Sequence, residues 1–228
     1  ILRQQQLTKE NTVAVMQALE SQFNPHFLFN TLESVRYMIR LDSLAAEKMV
    51  VDLSKLLRYS IQGGEKMTVL GEELEFADKY LQIMLYRYED RLEYSIEADD
   101  WMYQVKAPRM MLQPIIENSI KYGYGERKTL NICIFAAARP EGVEIVIQDD
   151  GAGMEQELLE EIQENLKKKH NYTEHIGIHN VHRRLQLLYG EKYGVTVESR
   201  KGRGTKITLC IPYLRKAGGT EIAESVDR

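Results

Sequence analysis

Gly63-Gly64 is the feature that most limits how this chain can fold, because it cuts the sequence into two stretches with different periodicities. Upstream, apolar residues recur mostly at helical spacing: Leu2, Val13, Met16, Leu19, Phe23 and Phe27, then Leu44, Val50, Leu53, Leu57 and Ile61. This pattern predicts two helices over residues 1 to about 62, ended by the glycine pair. A helical hairpin with one apolar stripe per helix cannot bury both stripes alone. Pairing of two copies into a four-helix bundle is the simple remedy, so a homodimer is expected. The first helix also carries Asn24-Pro25-His26, and a proline inside a helix removes a backbone donor and bends it.

Downstream, helices and strands mix. The patterns predict helices over 71–88, 109–121 (opened by Pro108), 155–169 and 178–189. They predict strands over 92–97, 130–137, 142–148, 194–199 and 205–212. This order is that of an α+β sandwich. The domain reading is a helical hairpin over 1–64, a mixed domain over 65–213, and a disordered tail over 214–228.

Lysines and arginines number 30 against 34 acids, a net charge of −4 that offers no basic footprint for nucleic acid. Cys133 and Cys210 are the two cysteines, too few for a disulfide framework, and both fall in strand-like stretches as small buried apolar residues. No run approaches the roughly 18 apolar residues that cross a bilayer. The chain starts with Ile1 inside an apparent helix, which suggests a piece of a longer protein with any membrane segment upstream.

Three polar clusters carry chemistry. In "LQPIIENSIKYG", Asn118 and Lys121 are three residues apart on one helix face. They are either a solvated polar face, or an amide oxygen for a hard cation beside an ammonium for phosphate. In "IQDDGAGM", a strand ends in Asp149 followed by Gly151 and Gly153, which let backbone approach a ligand. A buried carboxylate there could accept a hydrogen bond from an exocyclic amine such as that of adenine. The third cluster is "HIGIHNVHRRL" followed by "GRGTKITLCIP". Gly177 leads a helix whose first amides suit phosphate, and Gly202-Arg203-Gly204-Thr205 forms a turn that leaves the Thr205 hydroxyl inside the sheet. Arg183 and Arg184 read as a solvated helix face. His179 and His182, three apart, share a face with no other ligand cluster in view.

Taken in order, these clusters resemble the ATP-binding domain shared by histidine kinases, gyrase B, Hsp90 and MutL. With "QFNPHFLFNTLESV", "LSKLLRYSI" and "ELEFADKYLQIMLYRY" upstream, the chain resembles LytS/YesM-like sensor histidine kinases of bacterial two-component systems over about residues 10–213. The resemblance implies ATP and Mg²⁺ as cofactors, a response-regulator receiver domain as partner, and a cytoplasmic fragment of a cell-membrane receptor. It implies His26 as phosphoacceptor, Asn118 as the Mg²⁺-binding residue with Glu117 assisting, and Lys121 at the phosphates. Tyr122 would line the pocket, Asp149 would hold the adenine amino group, and Gly151 and Gly153 would shape the pocket. Gly177 and Asn180 would belong to the lid motif, with 154–176 as the lid, while Gly202, Gly204 and Thr205 would close the adenine side.

The chain also departs from its relatives. His175 stands where many have glycine, Tyr122 where histidine is common, and Phe27 follows His26 where other kinases place an acid. The group that polarises His26 is therefore unassigned. Asn30 lies one turn after His26, the offset at which such kinases orient a water for regulator dephosphorylation. The alternatives are an ATPase of the gyrase/Hsp90 type, and a catalytically silent nucleotide-binding dimer.

Overall fold

The computed structural model describes residues 25–61, 67–125, 128–168 and 176–213, with backbone alone at Pro25, His26, Ile61 and Ile176. Outside the described residues lie the expected helix before Pro25, the Gly63-Gly64 stop, residues 169–175 of the expected lid with His175 among them, and the tail from 214. The chain divides into two compact units, Ile1–Gly64 and Glu65–Arg228.

The first unit holds α1 (Pro25–Leu41) and α2 (Ser43–Ile61). The described part of α1 begins at Pro25. Asp42 links the two helices, and its Oδ1 accepts the amides of Leu44 and Ala45, both at 3.0 Å, as an N-cap. Phe27, Thr31 and Val35 of α1 are buried, as are Ala46, Met49, Leu53, Leu56 and Ser60 of α2. Thr31 and Ser60 donate to the carbonyls of Phe27 and Leu56 one turn back, so neither hydroxyl is buried unpaired. The expected stripe on the second helix is corrected: Leu44 is 76% and Val50 45% exposed. α2 carries apolar residues on more than one face, and α1 covers the 46–49–53–56–60 face.

The second unit opens with β1 (Met67–Val69), which pairs antiparallel with β3 (Lys106–Pro108), Met67 opposite Pro108. Between them run α3 (Leu70–Tyr88), a 3-10 turn (Glu89–Arg91), β2 (Leu92–Glu97) and a second 3-10 turn (Asp100–Gln104). Then come α4 (Gln113–Gly123), β4 (Leu130–Arg139), β5 (Gly142–Asp149), α5 (Gln156–Leu166), α6 (Ile176–Tyr189), β6 (Gly194–Arg200) and β7 (Gly204–Ile211). Five strands form one sheet in the order β2-β4-β5-β7-β6, antiparallel except for the parallel pair β2–β4. α4, α5 and α6 pack on its strands. This is the α+β sandwich that the sequence pattern predicts.

The core forms along cross-strand rows. Ile134, Ile147, Ile207 and Val197 stand opposite one another in register and are buried. They lie with Ile115, Ile116 and Ile120 of α4 and Ile178, Val181 and Leu185 of α6 in the buried set. Alternation puts Cys133 and Cys210 on the same face as their strand partners Gln148 and Glu144, away from these rows. Both thiols are free and half-buried rather than core, which corrects their expected burial.

Pro108 does not open a helix over 109–121. It ends β3, and the backbone amides of Met110, Met111 and Leu112 go to the carboxylate of Glu73, so helical hydrogen bonding starts only from Leu112.

Candidate functional site

The site is built around the end of β5. Asp149 is the last residue of that strand and is buried at 4% exposure. Its Oδ1 accepts the amides of Gly151 at 3.0 Å and Thr205 at 3.1 Å, and its Oδ2 accepts the hydroxyl of Ser119 at 2.9 Å. Three donors from three elements therefore hold one carboxylate. A carboxylate offers about four lone-pair sites, so one acceptor direction is left for a ligand. Burial pushes the Asp149 carboxyl above the ordinary carboxylate value, against the pull of its three hydrogen bonds, and the nearby Asp150 charge adds to the rise.

Glycine is required at this corner. Gly204 has φ +90, and a Cβ there would lie 2.0 Å from the Asp149 carbonyl oxygen. Gly153 has φ +64, and a Cβ there would lie 2.0 Å from the Arg200 carbonyl. A side chain at Gly151 would meet the carbonyl oxygen of Gly123 at 2.5 Å. The loop after β5 is tied down twice, by the Ala152 amide to the Gly123 carbonyl at 2.7 Å and by the Gly202 amide to the Ala152 carbonyl at 2.6 Å. Ser199 adds a third tie, its hydroxyl accepting the Met154 amide at 3.0 Å and donating to the Gly204 carbonyl at 2.9 Å.

α4 supplies the other wall. Glu117, Asn118 and Lys121 all lie on it, and Ser119 anchors it to Asp149. Glu117 and Asn118 are half-buried. Gln113 Nε2 donates to Glu117 Oε1 at 2.7 Å. Burial raises the Glu117 carboxyl, with the Gln113 bond opposing. Burial also raises the Tyr80 phenol, helped by the Glu117 charge, which places α3 beside this acid. Lys121 is exposed, with Nζ 4.8 Å from the centre of the Tyr122 ring, itself 52% exposed. Tyr124 stacks on Tyr88 at 4.8 Å and lies under Arg91, and burial pushes its phenol up to about 12.

The remaining sequence-predicted residues fall as follows. Gly177 lies in the first turn of α6, where a Cβ would sit 3.1 Å from Pro114 Cβ, so its small size lets α6 meet α4. Asn180 is exposed on α6, and Gly202 is exposed in the β6–β7 turn. The Thr205 hydroxyl lies 3.0 Å from Ser199 Oγ, and the amide of Thr205 reaches Asp149. His179 and His182 are engaged with backbone. His179 Nε2 lies 3.0 Å from the Lys168 carbonyl, and His182 Nδ1 accepts the Val195 amide at 2.9 Å. Arg183 and Arg184 are half-buried rather than solvated, because α6 packs against β6. His26 and Asn30 are both in α1, where the Asn30 carbonyl accepts the Ser34 hydroxyl at 3.0 Å.

Sequence reasoning misses Ser119, Ser199, Gly123 and Glu73. Ser119 had a signal, as the neighbour of Asn118 on a helix already singled out. The others act through partners far away in the chain.

The arrangement can hold a purine and a polyphosphate. A buried carboxylate with an acceptor direction to spare suits an exocyclic amine. The Asn118 amide oxygen and Glu117 on the same helix are the groups here that could hold Mg²⁺, an ion that takes most of its ligands from phosphate and water.

Comparison with known proteins finds two family matches along the chain. Residues 14–92 match the family described as Histidine kinase, and residues 104–215 match Histidine kinase-, DNA gyrase B-, and HSP90-like ATPase. Sensor protein kinase HptS of Staphylococcus aureus (strain USA300) is 32% identical over 200 residues, covering 88% of this chain and 38% of that protein. The chain thus spans well under half the length of the curated relatives it matches. Among solved structures, a bacterial phosphotransferase aligns with TM-score 0.50 at 10% identity over 86% of this chain and 95% of that one. The histidine kinase domain of the blue-light activated kinase of Erythrobacter litoralis EL346 aligns with TM-score 0.47 at 15% identity, over 87% and 93%.

Proposed function

This chain belongs to the histidine kinase family, and on that premise we propose that it phosphorylates itself on His26 from ATP and passes the phosphoryl group to a response-regulator aspartate. The observation that carries the reading is the Asp149 carboxylate, buried at the end of β5 with three protein donors, in a corner where backbone packs too closely for any residue but glycine. Asp149 accepts the adenine amino group, and Gly151, Gly153, Gly202, Gly204 and Thr205 shape the base side. Asn118, assisted by Glu117, offers its amide oxygen to Mg²⁺, which would neutralise phosphate charge when bound. Lys121 meets the phosphates, Tyr122 borders the pocket, and Gly177 and Asn180 belong to the lid.

Phosphoryl transfer asks the protein mainly for positioning and charge neutralisation. A neutral imidazole nitrogen of His26 attacks the γ-phosphorus, the bond to the bridging oxygen breaks, and ADP leaves. Imidazole suits this role because its neutral form is well populated near pH 7. Asn30, one turn along α1, orients a water for dephosphorylation of the regulator.

The functional unit is a homodimer joined through the helical hairpin. Exposed Phe29, Leu32, Ile39, Leu41, Leu44, Val50 and Val51 support this, since a monomer would leave them all in water. The chain is the cytoplasmic part of a membrane receptor, and no described helix is long and apolar enough to cross a membrane.

Incubation with γ-labelled ATP and Mg²⁺ tests the reading. Acid-labile, base-stable label that disappears in His26→Ala supports it, and Asn30→Ala is expected to spare labelling while slowing regulator dephosphorylation. Released phosphate without protein label would replace the kinase reading with an ATPase, and absence of both would leave a silent nucleotide-binding module.

A further inference from the structure

Glu73 is a carboxylate at 1% exposure on α3, away from the residues assigned to nucleotide. Its Oε1 accepts the amide of Met110 at 2.6 Å, and its Oε2 accepts those of Met111 at 2.9 Å and Leu112 at 3.1 Å. Three consecutive amides can converge on one carboxylate only if the chain turns sharply, and Met110 has φ +58, a left-handed conformation that is strained for a non-glycine residue. The Leu112 carbonyl then accepts the amides of Ile115 and Ile116, both at 3.1 Å, which starts α4. The carboxylate therefore seats the amino end of the helix that carries Glu117, Asn118, Ser119 and Lys121. Its negative charge also complements that end of the helix dipole.

A second tie runs in parallel. β1 pairs with β3 from Met67↔Pro108 to Val69↔Lys106, and the Leu70 amide donates to the Val105 carbonyl at 2.7 Å. Residues 67–73 thus grip residues 105–112 at both the backbone and the Glu73 side chain. At its middle α4 is joined to Asp149 through Ser119.

We propose that Glu73 is a positioning residue of the nucleotide site, holding α4 at the setting where Asn118 and Asp149 can engage one ATP together, so that a shift of α3 changes ATP affinity. The inference rests on the assignment of Asn118 and Asp149 as nucleotide contacts. Glutamine at position 73 keeps the size but offers one acceptor oxygen and turns an NH₂ group toward backbone N–H donors. Aspartate keeps the charge on a side chain one methylene shorter and draws the amides inward.

The test measures ATP binding by the full chain with Mg²⁺, by calorimetry, below the melting transition of every variant. Glu73→Gln is expected to raise the ATP Kd tenfold or more. Leu81→Ala, a cavity on the same helix at a fully buried residue, is expected to lower the melting temperature comparably and leave the Kd within twofold. Equal Kd changes in these two variants, or a Glu73→Gln variant that melts earlier but binds ATP as before, overturns the proposal. If Glu73→Gln does not fold, Glu73→Asp decides: a Kd raised severalfold supports the role, and an unchanged Kd refutes it. Asn118→Ala serves as the reference. Unaltered binding there removes the nucleotide assignment on which the inference stands, whereas weakened binding with Glu73 variants like wild type removes the inference alone.

Discussion

The hydroxyl of Ser119 donates to Asp149 Oδ2 at 2.9 Å across 30 positions of sequence, joining the middle of α4 to the end of β5. The bond aligns the wall assigned to the metal with the wall assigned to the base. Ser119→Ala removes it without changing the side-chain volume much. A hydrogen bond to a charged group contributes roughly 1.5–3 kcal/mol. The expected outcome is a rise of about tenfold or more in the ATP Kd, read by calorimetry, with the fold retained by circular dichroism.

Asp149 couples affinity and stability to pH in opposite directions. Its folded-state pKa is raised by burial above the ordinary 3.8. The folded state therefore holds its proton more tightly than the unfolded chain, and stability falls as pH rises from the ordinary carboxylate range through the folded value. ATP binding should rise over the same window as the acceptor ionises. Asp149→Asn is expected to abolish that part of the pH dependence, to melt no earlier than wild type, and to lose ATP binding. Melting curves and nucleotide titrations at matched pH check all three.

His182 gives the reverse case. Burial lowers its pKa below the ordinary 6.5, outweighing its bond with Val195, and the neutral Nδ1 accepts the Val195 amide. A depressed histidine pKa contributes stability above the unfolded value that is lost as pH falls from there toward the folded value. Urea midpoints should drop as pH falls below about 6.5, and His182→Gln, which keeps an acceptor without titrating, should flatten that slope.

Asp52 is 3% exposed on α2, and its Oδ2 has no hydrogen-bond partner among the described residues. A buried polar oxygen left unpaired is unfavourable. Asp52→Asn is expected to raise the melting temperature of the helical unit, observed by far-UV circular dichroism of the full chain. An unchanged or lower melting temperature would mean that the carboxylate is paired in the assembled protein.

Gly153→Ala places a Cβ 2.0 Å from the Arg200 carbonyl at φ +64. The backbone must shift and the strained conformation must be kept, so a loss of at least about 2 kcal/mol in denaturant unfolding is expected. ATP binding should weaken with it.

The elements that could be foreseen are those whose signals lie within a few residues of each other. The strand that ends at Asp149, the body of the helix bearing Asn118 and Lys121, and the glycine turn before Thr205 all depend on local pattern, and each is present in the structure. The start of α4 was misjudged because Pro108 looks like a helix opener, while the amides that follow are captured by Glu73, 37 to 39 positions earlier. On α2, period alone does not say which of several apolar faces a neighbour will cover, and α1 covers Ala46, Met49 and Leu53 rather than Leu44 and Val50.

By itself, the sequence determined the kind of chemistry: a histidine one residue after a proline, an asparagine-bearing helix, and a carboxylate before two glycines, each set by neighbours along the chain. Tertiary structure decided what makes those groups a site. Ser119, Thr205 and Gly151 converge on Asp149, and Glu73 seats α4, through hydrogen bonds whose direction and burial exist only once distant segments have packed. Residue spacing is carried by the covalent chain, whereas the desolvation that raises Asp149 and gives those bonds their strength is a property of the folded interior.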